Sequence, residues 1–156
     1  TVAPNIALKL QVIVPGEISV PGSATGKSGS PTIQTAGTQF NVTVNACDDW
    51  WNIVANNPIV SVTTEDNYDY HPTAAALSSG SRLFAVNMVT ANEAPGWKIT
   101  AADNSALLWP FTTPVVPVQP APATKLLIVS ASLFYLPTAR QASCSLQDTT
   151  RRKRNI

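Results

Sequence analysis

From Gln39 to Ala46 polar and apolar side chains alternate without a break, with Phe40, Val42, Val44 and Ala46 set against Gln39, Asn41, Thr43 and Asn45. A period of two puts the apolar set on one face of an extended chain and the polar set on the other. Ala36-Gly37 ahead of it supplies a turn, and Asp48-Asp49 followed by Trp50-Trp51-Asn52 supplies a second. A half-buried strand held between tight turns has to cover its apolar face with another sheet. That is the unit of an antiparallel sandwich.

The remaining segments can be fitted to the same plan. Ala7 to Val14 reads as a first strand with Leu8, Leu10, Val12 and Val14 on one face, broken by Pro15-Gly16. Val20 to Pro31 (VPGSATGKSGSP) reads as a loop too poor in apolar groups to pack as a regular element, and Thr32 to Gln34 as a short edge strand. Asn52 to Ala55 and Ile59 to Thr63 are the next strand candidates, followed by a polar loop from Glu65 to Pro72. Ser81 to Thr90 offers Leu83 or Phe84, then Val86 and Met88, to the core, and Trp97 to Ala102 and Leu107 to Val118 complete the set. Pro110, Pro114 and Pro117 assign the last of these to a sheet edge, or to bonding along one side only. About seven to eight short strands with turns roughly every ten residues predict an all-β, Ig-like antiparallel β-sandwich.

Composition agrees. The 156 residues fit one domain, charged residues make up 12%, and 13 prolines replace the Leu/Glu/Lys runs of helices. No apolar run approaches the ~18 residues of a membrane-spanning helix. Residue 1 is Thr and the single Met is Met88, so we expect a chain that has lost a leader or been cut from a longer one. The Thr, Ser and Asn content suits a secreted or surface protein. The net charge of +1 hides an asymmetry. Residues 1–120 carry Lys9, Lys27, Arg82 and Lys98 against eight acidic groups, net −4, whereas residues 121–156 carry six basic groups against Asp148, net +5. An acidic body and a basic tail attract one another head to tail, or the tail is simply solvated.

The tail repeats the beginning. Ala123 to Ala131 (ATKLLIVSA) matches Ala7 to Pro15 (ALKLQVIVP) at an offset of 116 residues, one whole module of this type. The chain therefore divides into a module over residues 1–119 and, over 120–156, a Pro-containing linker, a repeated first-strand segment and a basic tail. The string KLQVIVPGE, followed by PGSATGKSGSPTIQTAGTQFNVTVNACDDWWNIV, resembles the tandem Ig-like repeats of very large bacterial surface and secreted proteins. Residues 7–119 match one repeat and 123–131 the start of the next. The resemblance implies the sandwich fold, a structural role for Trp51, and a role as spacer or adhesive stalk. The chain departs from it in its two cysteines, its basic terminus and its end soon after the second start.

Several constellations are candidate sites. The first strand (Leu8, Leu10, Val12, Val14) and its duplicate (Leu126, Leu127, Ile128, Val129) are candidate self-association strands. A first strand lies at a sheet edge, and a surplus copy docked on the next subunit would build an open filament. A truncated multi-repeat protein, or a tail folded back on its own body, remains open. Cys47 and Cys144 form a candidate disulfide; within one chain it would contribute about 4–5 kcal/mol by loop closure. Two thiols are the alternative, and with His71 the lone histidine a zinc site or a Cys/His nucleophile pair is not expected.

Asp48, Asp49, Asp66 and Asp69, with Glu65 and Asn67, lie in two loops that would offer Ca²⁺ oxygen ligands if they met at one end; turn formation is the competing role. Trp50, Trp51, Trp97 and Trp109, with Tyr68 and Tyr70, raise a glycan-stacking alternative; at least two of these rings are expected in the core, leaving Trp50, Tyr68 and Tyr70 as the candidates. No resident cofactor is expected beyond that Ca²⁺. No catalytic motif occurs, so an enzyme is not expected. Arg151 to Arg154 lacks the aromatic platform of a nucleic-acid site. Asn41-Val42-Thr43 is a glycosylation sequon in hosts that use it. The expected function is a structural module of an extracellular filament or stalk. Its partners would be copies of itself or neighbouring Ig-like modules, joined head to tail by the surplus strand. A glycan-binding adhesin is the alternative.

Overall fold

Alternation decides the central strand, and the other elements follow from what it must bury. A computed structural model describes residues 3–126 of the chain. Thr1–Pro122 form one unit; of the second, Ala123–Ile156, only residues 123–126 are described, exposed and outside any strand. In chain order the strands are β1 (Lys9–Ile13), β2 (Glu17–Ser19), β3 (Lys27–Gly29), β4 (Gln34–Thr35), β5 (Phe40–Cys47) and β6 (Ile59–Thr64). They continue as β7 (Ala75–Ala76), β8 (Ser81–Val86), β9 (Asn92–Trp97), β10 (Ile99–Asp103), β11 (Phe111–Thr112) and β12 (Val116–Gln119). Among the described residues there is no helix, and so none long and apolar enough to cross a membrane. The fold is an all-β, mainly antiparallel sandwich.

One layer has the order β1-β5-β8, with Val12 opposite Val44 and Val42 opposite Phe84. The facing layer has the order β11-β10-β6-β7. Leu10, Val12, Val42, Val44 and Ala46 from the first layer are fully buried against Val60, Val62, Ile99 and Ala101 from the second. Each of the Val, Leu and Ile side chains among them contributes about 1.5–3 kcal/mol by leaving water. A third sheet has the order β4-β12-β9, and the β2-β3 hairpin forms a two-stranded sheet of its own over β1.

The chain enters at one end of the sandwich and leaves at the other. Lys9 pairs with Cys47, at the finish of β5. Gln119 pairs with Thr35, and its carbonyl accepts the Ala36 N–H, just ahead of the start of β5.

Several sequence expectations are corrected. The first strand stands at the edge of its sheet, but that edge is partly covered: Lys9 forms a parallel bridge to Trp109 on the side away from β5. Leu10 N–H donates to the Trp109 carbonyl at 2.9 Å, and Trp109 N–H donates to the Leu8 carbonyl at 2.9 Å. The expected loop from Val20 to Pro31 contains β3, paired to β2, because a two-strand ribbon needs backbone bonds more than apolar side chains. The proline-rich strand splits in two. Its second part, β12, is paired on both sides, to β4 and to β9, and a register shift between Val116 and Val118 accommodates Pro117. Asn52 to Ala55 supplies one bridge, Ile53 to Cys47, and no strand. In β8, Phe84 faces the core and Leu83 faces solvent.

Candidate functional site

The slot that holds β1 is buried on both of its faces. On one, Leu10, Val12 and Val14 enter the core. On the other, Gln11 is fully buried although the strand pattern gives it a polar, outward position. Burying an amide without partners is costly, and this one has three. Gln11 Nε2 donates to the Gly26 carbonyl at 2.8 Å, while Gln11 Oε1 accepts from Ser19 Oγ at 3.1 Å and from Asn45 Nδ2 at 3.0 Å. Asn45 Oδ1 in turn accepts from Ser81 Oγ at 2.7 Å. The network ties β1 to its neighbour β5, to β8 beyond it and to the hairpin above.

Both ends of the hairpin are fixed on the same face. Glu17 Oε2 accepts the Val14 N–H at 3.2 Å, and the Lys27 ammonium pairs with Glu17 at 2.7 Å, both side chains largely shielded from water. Gly26 has φ +74°, and a Cβ there would lie 2.3 Å from the Trp51 ring. Only glycine allows the hairpin to come this close. Trp51 itself takes φ 66° in the turn after β5, standing edge-on to Phe111 with 5.9 Å between ring centroids. Lys9 Nζ lies 3.7 Å from the centroid of the Trp51 ring and donates to the Asp49 carbonyl at 2.8 Å.

The aspartates expected in one calcium site are divided between the two ends. Asp48 follows β5, where the chain enters; Asp66 lies by Val89 and Thr90, where it leaves. The two loops do not meet. Asp48 accepts from the Asn52 side chain and from the N–H groups of Asn5, Trp50 and Asn52. The Asn52 hydrogen bond foremost, with these N–H groups, holds its carboxyl below the usual range against burial. For Asp66 burial alone would raise the carboxyl, but the N–H groups of Thr90, Tyr68 and Val89 outweigh it and hold it low. Asp69 is paired with His71 and with the Thr64 hydroxyl, and Asp49 is exposed. Among the described residues no group of three or more His, Cys, Asp and Glu side chains is placed to hold a metal ion.

The candidate glycan rings are divided too. Trp50 is exposed at the entry end, and Tyr68 and Tyr70 are exposed at the exit end, so they share no platform. Trp51 and Trp97 are partly buried, the latter donating Nε1–H to the Thr90 carbonyl at 2.8 Å. Trp109 is 75% exposed beside a mostly apolar cavity of about 360 Å³ walled by Leu107, Leu108 and Pro110.

Cys47 is wholly buried, and burial, then the adjacent Asp48 carboxylate, pushes its thiol up to about 12. A thiol of that kind is a poor nucleophile. Cys144, the other half of the candidate disulfide, and Leu127, Ile128 and Val129 lie outside the described residues; Leu126 is 89% exposed. Compared with models of protein families, with curated proteins and with solved structures, the chain finds no match.

Sequence reasoning did not single out Gln11 or Asn45, and took Trp109 only as one of several aromatic rings, not for its main-chain bonds to β1. The signal for the first two is a pair of amides on the outward faces of adjacent strands, followed by a Gly/Ser-rich segment able to cover them.

Proposed function

We infer that this chain is a structural module of an extracellular filament or surface stalk, Ig-like in kind. It passes residues 123–131 as a strand to the next module in line, a copy of itself or a neighbour. What carries the reading is the opposed placement of entry and exit, with Lys9 beside Cys47 and Gln119 beside Thr35 at the other end of β5. Modules with opposed termini string together without doubling back. The duplicate of β1 directly after the exit gives the next module its opening strand. The basic tail following an acidic body assists docking.

The experiment is immunogold electron microscopy of the cells that make the protein, using antibody to residues 3–122, together with a glycan array of the purified chain. Label spaced along filaments or stalks, with a blank array, is the expected result. Diffuse label without assembled structures sinks the reading. Sugar binding that Trp50→Ala abolishes would replace it with the adhesin alternative.

A further inference from the structure

The slot of β1 and the duplicate of β1 can be compared position by position. At the offset of 116 residues, Lys125 stands for Lys9 and Leu126 for Leu10. Both fit. A lysine there can lie over Trp51 as Lys9 does, and a leucine can fill the buried site of Leu10. Ile128 for Val12 and Val129 for Ile13 are also apolar exchanges. Two positions do not fit. Leu127 stands where Gln11 makes its three hydrogen bonds, and Ser130 stands for Val14, which is 2% exposed in the core. A leucine at the centre of the network would leave the buried Asn45 amide N–H without its partner, and would take one partner from the half-buried Ser19 hydroxyl and one from the Gly26 carbonyl, which keeps the Val20 N–H. A serine at the Val14 site would bury a hydroxyl among aliphatic groups.

We propose that the Gly26–Gln11–Asn45–Ser81 network selects which strand may occupy this slot: it retains the module's own β1 and rejects residues 123–131. The strand passed onward therefore fits a module of different sequence, one with apolar side chains facing the centre of its first strand, and not a second copy of this chain. This assignment of the partner rests on the structural-module reading above. The rejection itself rests on the slot alone. The composition of the duplicate supports it, because Leu126 and Ile128 alternate with Leu127 and Val129 and so present apolar groups on both faces. Such a strand needs a slot dry on both sides. The β1 slot is dry on one side and carries polar partners at the centre of the other.

The test uses the full chain in a Cys144→Ser background. Lys125→Cys serves as a probe, since a strand 123–131 seated in a β1 slot would bring residue 125 opposite Cys47, as Lys9 is now. Cross-strand Cα separations of about 5.5 Å admit a disulfide. Cross-linking under mild oxidant is compared between the native tail and a tail carrying Leu127→Gln and Ser130→Val, with peptide mapping to identify the bond; Lys9→Cys with residue 125 unchanged is the control that the buried Cys47 thiol bonds a cysteine in this position. Neither tail change alters residues 3–122, and thermal melts of both chains show whether folding confounds the comparison.

The expected result is little 125–47 bond with the native tail and roughly tenfold or more with the altered one, the factor for restoring a buried hydrogen-bonded amide. Equal cross-linking by both tails, or none by either, overturns the network as the selector. Sedimentation velocity on the unaltered chain tests the partner. Monomers are expected, and end-to-end assemblies would overturn the assignment to a different module. Selection upheld in the tube with no filament or stalk on the cells would fail the functional reading alone.

Discussion

Gln11 shows how far a single side chain can depart from what its strand pattern implies. Its alternation puts it on a polar face, yet the hairpin covers that face and leaves the amide wholly buried. Replacing it with leucine keeps the volume and removes every hydrogen bond. We expect Gln11→Leu to cost about 1–3 kcal/mol for each polar group left unpaired, read as a lowered urea midpoint; an unchanged midpoint would mean the network is idle. Asp66 gives a second expectation. Its folded carboxyl is held below the unfolded value of about 3.9, so its stabilising effect is complete above that pH and fades as pH falls through the lower, folded value. Asp66→Asn should lower stability at pH 7 and flatten the acid limb of a stability–pH curve. A variant curve parallel to the parent's would refute it. The Asp66 role is not legible beforehand, because Asp and Asn form turns whether exposed or buried; only the fold shows which N–H groups an aspartate must satisfy.

Elements with strong alternation were legible, and those made by backbone pairing were not. β5 and β1 announce themselves through Val42, Val44, Leu10 and Val12, whose burial follows the period of two. The β2-β3 hairpin has no such pattern, since Ile18 is 63% exposed and Lys27–Gly29 offers no apolar stripe. Its position is fixed instead by the approach of Gly26 to Trp51. Gly26 and Gly22 both have positive φ, but a Cβ on Gly22 meets nothing within 4 Å. Gly26→Ala should therefore destabilise clearly more than Gly22→Ala in thermal melts, the difference reporting the indole contact rather than backbone strain. The Trp109 bridge allows a similar separation. Its side chain is exposed while its N–H and carbonyl are bonded to β1, so Trp109→Ala should be mild and Trp109→Pro severe. Equal effects would place the role in the indole.

For the whole molecule, the all-β sandwich was expected from the sequence and is present. The arrangement of its edges was not, because bonds such as Leu10 to Trp109 join main chains over about a hundred residues and leave no mark on side-chain pattern. That edge arrangement bears on how the molecule would behave under tension. Traction applied at the two ends draws β1 along its own length against β5 on one side and Trp109 on the other. The hydrogen bonds on both flanks lie across the direction of pull, so they must be sheared together and cannot be unzipped one after another. Stretched between residue 3 and residue 122 in a force spectrometer, the module should give way in one abrupt rupture, and Trp109→Pro should lower its force. Yielding gradually at low force would show that β1 peels away. A sandwich clamped in this way behaves less like a bead on a thread than like a link in a chain, slack until loaded and then stiff.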